Sequence, residues 1–202
     1  MWTIARIIVT PIYRLLFRFR VTGRENIPRT GGVILCANHI SNHDPLVVGI
    51  SSPRNLHFLA KQELYKYKIF RPFMRAMKVI PVNRDKPGMD TLKHVIKVLK
   101  EDEAVGIFMQ GRRRRKNLSE PEMGDYKAGV ALFAIKSQVP VVPIYLQSRY
   151  LPFSKVILNI GQPISFEEYY GKKIRTEELN EAAAKIMTAI EELGAHDEDS
   201  VG

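Results

Sequence analysis

Short apolar segments of strand type alternate with longer segments of helical periodicity along most of this chain. The predicted strands are GVILCA, LHFLA, VIPV, AVGIFM, VVPIYL and KVILNI. The predicted helices are PLVVGIS, MDTLKHVIKVLK, DYKAGVALFAIKSQ and TEELNEAAAKIMTAIEEL, with a further helical stretch, KQELYKYKIFRPFMRAMK, interrupted at Pro72. Such alternation predicts an α/β fold, a single domain in which helices flank a mixed, largely parallel central sheet.

The length of 202 residues suits one domain with at most a short appendage. We expect an amphipathic helical segment at the membrane interface over 1–20, the α/β domain over 21–195 and a frayed acidic tail over 196–202. Cys36 is the single cysteine and cannot form an internal disulfide. A cytosolic setting is therefore the default.

The N-terminal segment MWTIARIIVTPIYRLLFRFR has the pattern of a basic amphipathic helix. At about 100° per residue, one arc contains Ile4, Ala5, Ile8, Val9, Ile12, Leu15, Leu16 and Phe19. Outside that arc lie Arg6, Arg14, Arg18 and Arg20. Pro11 should kink or divide this helix into two short pieces. The pattern suits a helix in a membrane interface and, equally, a helix packed on its own domain.

The basic excess of the chain belongs to its first half. Residues 1–100 hold 18 Lys and Arg against 5 Asp and Glu, a net charge of +13, whereas 101–202 hold 13 against 16, a net charge of −3. This charge favours anionic partners such as phosphorylated molecules, nucleic acid or an acidic lipid surface. No apolar run approaches the roughly 18 residues of a membrane-spanning helix, so we expect at most peripheral, monotopic membrane binding.

The stretch CANHISNHDP, residues 36–45, concentrates polar and titratable groups at the end of a predicted strand. His39 and Asp44 are five residues apart, which places them about 140° apart on a continuous helix. They can pair only if a loop turns into a helix near Asp44. Asp44 followed by Pro45 also resembles a helix start, with the aspartate as N-cap.

Three functional hypotheses compete with a purely structural role for this stretch. His39 can act as a general base whose ring Asp44 orients. A metal site with His43 and Asp44 would need further ligands, and no other His or Cys cluster supplies them, so no metal is expected. A nucleophilic Cys36 is disfavoured because this residue lies inside an apolar run and suits the core.

The motif NHISNHD resembles the histidine-x4-aspartate motif of the glycerolipid acyltransferases, the family of 1-acylglycerol-3-phosphate acyltransferase. Further stretches resemble that family in order and spacing: AKQEL with Lys61, KVIPVNR with Arg84, FMQGRRR with Gly111 and Arg113, and VPVVPIYL. The resemblance covers roughly residues 20–165. It departs from the family at Lys78 and Pro81 in KVIPVNR and at Met109, Gln110 and Arg112 in FMQGRRR.

The resemblance implies transfer of a fatty acyl group from a thioester to the free hydroxyl of lysophosphatidate, giving phosphatidate in phospholipid synthesis. His39 would be the base and Asp44 its orienting partner. The phosphate would be bound by Arg84, Gly111, Arg113 and Lys61, because guanidinium groups match phosphate oxygens and a glycine lets backbone amides approach closely. Gln110 stands where the family has a glutamate, so it would orient the acceptor without a charge.

The same resemblance gives the partners. The co-substrate would be acyl-CoA or acyl-acyl carrier protein, with no bound cofactor, and the protein would sit on an anionic membrane surface on the cytoplasmic side. The run GRRRRKN lacks the interleaved aromatics of a single-strand binder, so no nucleic acid is expected. Two alternatives stay open, namely an acyltransferase acting on glycerol 3-phosphate or a lyso-aminolipid, and a non-catalytic protein that binds anionic lipid.

Overall fold

A seven-stranded sheet forms the centre of the computed structural model, which describes residues 2–62, 65, 71–76, 78–82, 89–109 and 121–198. The helices of this part are α1 (Trp2–Leu16), α2 (Asp44–Ser51), α3 (Arg71–Ala76), α4 (Met89–Lys100), α5 (Pro121–Ser137) and α6 (Thr176–Glu198). The strands are β1 (Arg18–Thr22), β2 (Val33–Ala37), β3 (Leu56–Lys61), β4 (Ile80–Val82), β5 (Ala104–Phe108), β6 (Val141–Ser148) and β7 (Lys155–Ile160).

The strand order is β1-β7-β6-β2-β5-β3-β4. Five adjacent strands, from β6 to β4, run parallel to one another, whereas β7 pairs antiparallel to β6 and β1 pairs parallel to β7. The amino ends of β1 and β7 therefore lie at the same edge of the sheet as the carboxyl ends of the other five strands. This arrangement confirms the predicted α/β fold with its mixed, largely parallel sheet.

Helices cover both faces of the sheet, and β2 shows why its sequence is an unbroken apolar run. Ile34 and Cys36 pack towards α4, α5 and α6, and the alternate residues Val33, Leu35 and Ala37 pack towards α1 and α2. All five are buried. A strand covered on both faces has no solvent side, so every position is apolar.

The N-terminal helix is continuous, and the predicted division at Pro11 is wrong, since α1 runs through this residue to Leu16. Contacts on both sides of the proline hold it. Before Pro11, the guanidinium of Arg6 donates hydrogen bonds to the carbonyl oxygens of Gly49, Ser52 and Arg54 around the end of α2. After it, Tyr13 packs into the core beneath the sheet.

The face through which the helix packs on its domain overlaps only partly with the predicted apolar arc. Arg6, Val9 and Tyr13 face the protein. The exposed large apolar side chains of this helix are Ile7, Ile8, Ile12, Leu15 and Leu16. Four of these five belong to the predicted arc, so most of the arc whose side chains are described in α1 faces away from the fold.

Two segment boundaries differ from the sequence-based expectation. The helix ends at Leu16 and not at residue 20, because Arg18–Thr22 forms the edge strand β1 and pairs with β7 from Arg18 to Thr22. At the other end, α6 continues to Glu198, three residues into the expected tail. Within the described residues, no helix combines the length and apolar character needed to cross a membrane.

Candidate active site

The loop between β2 and α2 carries the candidate base at the carboxyl edge of the parallel strands. Asn38 fixes the start of this loop, since its side-chain amide donates to the carbonyl oxygen of Leu146 at 2.8 Å and accepts from the Leu146 N–H at 2.7 Å. The chain thus leaves β2 but stays bonded to β6. In parallel sheets this edge is where functional loops gather.

His39 and Asp44 are paired, as the loop geometry required. His39 Nδ1 lies 2.6 Å from Asp44 Oδ2. The same oxygen accepts the backbone N–H groups of Ile40 and Ser41, each at 2.7 Å. The loop therefore wraps around one carboxylate oxygen, which allows two residues five apart to meet.

Asp44 does not cap its helix in the predicted way. It is the first residue of α2, His43 occupies the cap position, and no side chain there bonds the first turn of the helix. The carboxylate turns back towards the loop instead, where three of its four donors lie. The expectation that Asp44 is an N-cap is therefore wrong, and Pro45 stands in the first turn behind it.

The carboxylate of Asp44 is fully buried, with no exposed side-chain surface. Its second oxygen, Oδ1, accepts the hydroxyl of Tyr150 at 2.7 Å. Burial of an ionised carboxylate is tolerated only when donors replace its water, and short bonds to a charged acceptor are strong. Burial, followed by the charge of Asp44 and this bond, raises the pKa of Tyr150, so the phenol stays protonated at neutral pH.

The ring of His39 is held on one face by Phe108, the last residue of β5. Their ring centres are 4.5 Å apart and their planes 27° apart. Because the carboxylate of Asp44 accepts at Nδ1, the neutral ring carries its proton there and presents Nε2 as a proton acceptor. The side chain is 13% exposed, so part of it is accessible from outside.

A cluster of aromatic rings lies beside the pair. The Tyr13 hydroxyl and His43 Nδ1 are hydrogen-bonded at 2.7 Å, and the His43 ring stacks on Tyr150 with centres 5.0 Å apart. Phe17, between α1 and β1, meets Tyr150 edge-on at 5.8 Å. His43 thus takes part in a ring cluster and its Nδ1 faces a phenol. Among the described residues, no group of three or more His, Cys, Asp or Glu could hold a metal ion.

Cys36 is completely buried in the core that faces α4, α5 and α6, which confirms its predicted place. Burial raises the pKa of its thiol well above the usual range. A thiol without access to solvent that resists ionisation is a poor nucleophile. The pairing of His39 with Asp44 is the arrangement in this loop that can move a proton.

Comparison with known proteins shows the family to which this chain belongs. Residues 18–147, more than half of the chain and including His39 and Asp44, match the family model described as Acyltransferase. The chain belongs to the acyltransferase family. The family predicted from the resemblance of NHISNHD and the further stretches is thereby confirmed, and the protein is an O-acyltransferase.

This acyltransferase is 28% identical over 186 residues to the 1-acyl-sn-glycerol-3-phosphate acyltransferase of Bacillus subtilis (strain 168). The matched region covers 86% of this chain and 90% of that protein. It is 33% identical over 144 residues to the protein of the same name from Borreliella burgdorferi, covering 70% of this chain and 56% of that one. It thus spans little more than half of that relative.

A solved structure shares the fold. The crystal structure of the 1-acyl-sn-glycerophosphate (LPA) acyltransferase, PlsC, from Thermotoga maritima superposes with a TM-score of 0.68 at 22% identity, over 95% of this chain and 79% of that one. At this identity the likeness supports the architecture of the acyltransferase, with a similar α/β domain around the sheet.

The predicted phosphate-binding residues of the acyltransferase fall largely outside the described residues. Arg84, Gly111 and Arg113 lie outside them, and so does Gln110, which was predicted to orient the acceptor. Lys61 is the last residue of β3, and its backbone alone is described. Val82 ends β4 and Phe108 ends β5 at the same edge of the sheet as His39. Met109 follows Phe108, and its N–H donates to the Ala37 carbonyl at 3.1 Å.

Three residues of the site were missed by sequence reasoning. Tyr13, Phe108 and Tyr150 contact the histidines or Asp44, yet none was singled out. For Phe108 a signal existed, since it opens the block FMQGRRR. Tyr13 and Tyr150 lie outside every motif, and only the folded chain brings them to the loop.

Proposed function

We propose that this acyltransferase transfers a fatty acyl group from a thioester donor to the free hydroxyl of lysophosphatidate, giving phosphatidate. The observation that carries the proposal is the bond of 2.6 Å between His39 Nδ1 and the buried Asp44 carboxylate. The names of the relatives from Bacillus subtilis and Borreliella burgdorferi support the choice of acceptor.

The chemistry is a direct acyl transfer. His39 Nε2 takes the proton of the acceptor hydroxyl as the oxygen attacks the thioester carbonyl carbon. The tetrahedral intermediate collapses, the carbon–sulfur bond breaks, and the imidazolium returns the proton to the departing thiolate. Asp44 stabilises the imidazolium in between, and general base catalysis of this kind contributes about 10² to 10⁴ in rate.

The acceptor would be held by its phosphate. Arg84, Gly111, Arg113 and Lys61 are the proposed ligands, and Gln110 would orient the acceptor. Support comes from the ends of β4 and β5 at Val82 and Phe108, which lie at the sheet edge of the candidate base. Holding the phosphate there would place the hydroxyl near Nε2, where proximity lowers the barrier. The donor would be acyl-CoA or acyl-acyl carrier protein, with no bound cofactor.

The protein would work as a peripheral protein on the cytoplasmic, anionic surface of a membrane. Support comes from what we call the apolar patch, formed by Ile7, Ile8, Ile12, Leu15, Leu151 and Phe153, all exposed. Two segments join in it, since the Phe153 N–H donates to the Leu16 carbonyl at 2.6 Å. Arg14 and Arg149 in the same two parts of the chain are exposed, and each cation near an acidic surface adds about 1 kcal/mol.

A second acceptor class is favoured by one observation. Gln110 stands where the resemblance leads us to expect a glutamate, so the acceptor hydroxyl would lack a neighbouring carboxylate. Glycerol 3-phosphate or a lyso-aminolipid is therefore the alternative acceptor within the same reaction. Under either acceptor, the division into a membrane-interface segment over 1–20, an acyltransferase domain over 21–195 and a tail over 196–202 stays a prediction.

The deciding experiment is an acyl-transfer assay with purified protein, a panel of lysolipids and both donor types. We expect acylation of lysophosphatidate, loss of about 10² or more in rate for His39→Ala, and little change for His94→Ala on the exposed face of α4. Arg84→Ala should raise KM for a phosphorylated acceptor. No transfer to any lysolipid, with retained binding to vesicles, would favour a lipid-binding protein instead.

A further inference from the structure

Tyr150 bonds the carboxylate that pairs with the candidate base. It follows β6 by two residues and lies beyond residue 147, where the match to the family model ends. Its hydroxyl donates to Asp44 Oδ1 at 2.7 Å, whereas His39 and two backbone N–H groups share Oδ2. Tyr150 therefore supplies the donor on one of the two oxygens of a fully buried carboxylate.

The ring of Tyr150 is clamped on two sides. His43 stacks on it with planes 22° apart, and Phe17 meets it at 90°. His43 is itself held by the hydroxyl of Tyr13. Contacts from Phe17, just after α1, and from His43, just before α2, thus hold the Tyr150 ring in place.

The backbone of Tyr150 is held in an uncommon conformation. Its φ of 51° lies in the left-handed region, which large side chains with a Cβ rarely adopt. The hydroxyl of Ser148 accepts its N–H at 3.0 Å and supports this turn. Backbone strain persists where surrounding contacts over-determine it, and it clusters at functional sites. Here it points the phenol at the carboxylate.

We propose that Tyr150 is a positioning residue of the transfer reaction, which holds the Asp44 carboxylate by Oδ1 so that Oδ2 faces His39 in a fixed orientation. The inference rests on the proposed function for its kinetic part. Without the phenolic O–H, the carboxylate can rotate and the imidazole loses its alignment. The O–H dipole also opposes the positive charge of the imidazolium, so its removal favours the protonated ring.

The groups that could obscure this effect are few and can be separated. Among the described residues, the titratable groups packed around Tyr150 are Asp44, His39, His43 and Tyr13. Burial raises the pKa of Tyr13 as well, so both phenols stay protonated across the working range. The ring signals of His43 can be assigned apart from those of His39 by comparison with a His43→Gln variant.

The kinetic test compares Tyr150→Phe with Tyr145→Phe, a control that removes a hydroxyl from β6 while Asp44 keeps its donor. For Tyr150→Phe we expect kcat to fall about tenfold, because a bond to a charged group is lost, with KM for both substrates nearly unchanged. The acid limb of the pH profile should move to higher pH. Tyr145→Phe should change none of these, and equal behaviour of the two variants would overturn the proposal.

An NMR titration tests the positioning without any turnover. The imidazole signals of His39 should titrate at higher pH in Tyr150→Phe than in the parent, and at the parent value in Tyr145→Phe. If the parent transfers no acyl group, the proposed function fails while this titration still decides the role of Tyr150. Unchanged His39 signals in Tyr150→Phe would refute it.

A second substitution covers the case in which Tyr150→Phe does not fold. A 3-fluorotyrosine at position 150 keeps the ring and strengthens the O–H donor. His39 should then titrate at lower pH than in the parent, opposite to the direction expected for the phenylalanine. A shift in the same direction as for phenylalanine, or none, would contradict the proposed electrostatic link.

Discussion

The imidazole of His39 stacks on the ring of Phe108 with centres 4.5 Å apart. Phe108 in turn lies nearly parallel to Phe58, at 6.1 Å and 10°. One face of the candidate base is therefore covered by a short column of rings that begins in β3 and β5. An acceptor hydroxyl has to reach Nε2 at the edge of the ring and not from that face.

The column ends at a glycine that leaves it room. A Cβ at Gly106 would lie 2.4 Å from Phe58 Cε1. We expect Gly106→Ala to displace Phe58, to lower the free energy of unfolding by about 1 to 3 kcal/mol and to reduce kcat through Phe108. Urea unfolding and acyl-transfer kinetics measure the two effects.

Gly129→Ala in α5 is the control, because a Cβ there meets nothing within 4 Å and alanine favours a helix. Combining Gly106→Ala with Phe58→Leu should restore part of the lost stability. Reduced stability with full activity would show that the column does not position His39.

Asp44→Ala should affect folding as well as catalysis. It leaves the N–H groups of Ile40 and Ser41 and the hydroxyl of Tyr150 without their acceptor. Each buried unpaired donor costs about 1 to 3 kcal/mol, reduced where the relaxed loop admits water, so we expect a loss of roughly 3 kcal/mol.

The matched control for Asp44→Ala is Asp90→Ala, an exposed aspartate in the first turn of α4. We expect a loss of at most about 1 kcal/mol for it. Denaturant unfolding of both variants measures the difference. Equal stability of the two would contradict the role of Asp44 as the centre of the loop.

His57 makes the stability depend on pH. Burial, followed by the charge of Lys78, lowers the pKa of His57 below its usual 6.5, although Glu103 opposes this. The unfolded chain then binds a proton more readily than the folded one as pH falls through about 6.5. Stability is therefore present above that value and is lost as pH falls towards the lower folded-state pKa.

Unfolding at about pH 7.5 and about pH 5.5 tests this dependence, since the window lies above that of the carboxylates. The parent should lose stability between the two conditions. His57→Gln should lose less, whereas His94→Gln, an exposed control, should follow the parent. A parent slope retained in His57→Gln would assign the dependence to another group.

The apolar patch is open to substitution without disturbing the core. Replacing Ile8, Ile12 and Leu15 by serine removes exposed side chains, so the free energy of unfolding should stay close to that of the parent. Binding to vesicles of anionic lipid should weaken by at least about tenfold, given about 0.8 kcal/mol for each buried methylene.

Co-sedimentation measures the binding of this triple variant, and Met89→Ser, another exposed apolar residue, is the control. Deletion of residues 1–20 is less suitable, because it would remove Tyr13 and Phe17 from the core and shorten β1. Undiminished sedimentation of the triple variant would place the lipid contact elsewhere.

Strands covered on both faces were predictable because burial leaves an unbroken apolar run, and β5 lies where AVGIFM predicted it. The edge strand β1 was missed, since RFRVT alternates charged and apolar residues and continues the helical pattern before it. Its period of two was the signal that could have found it.

The candidate site likewise has one part that the sequence predicted and one part that it did not. His39 and Asp44 are five residues apart, so their pairing through a short loop could be predicted from the local sequence. Tyr150 lies 106 positions from Asp44, and the two meet only because β6 is next to β2 in the sheet. Strand order is a property of the whole chain, and no local pattern encodes such a contact.

The reversed direction of β7 and β1 has a consequence for the path of a lipid. Because both strands start where the parallel strands end, α1 leaves the sheet on the side of His39. Had β1 run the other way, the helix would emerge at the opposite edge, roughly 17 Å distant for a strand of this length. If the exposed face of α1 lies in a bilayer, as proposed above, an acceptor could bring its headgroup to the base while its tail stays in that bilayer.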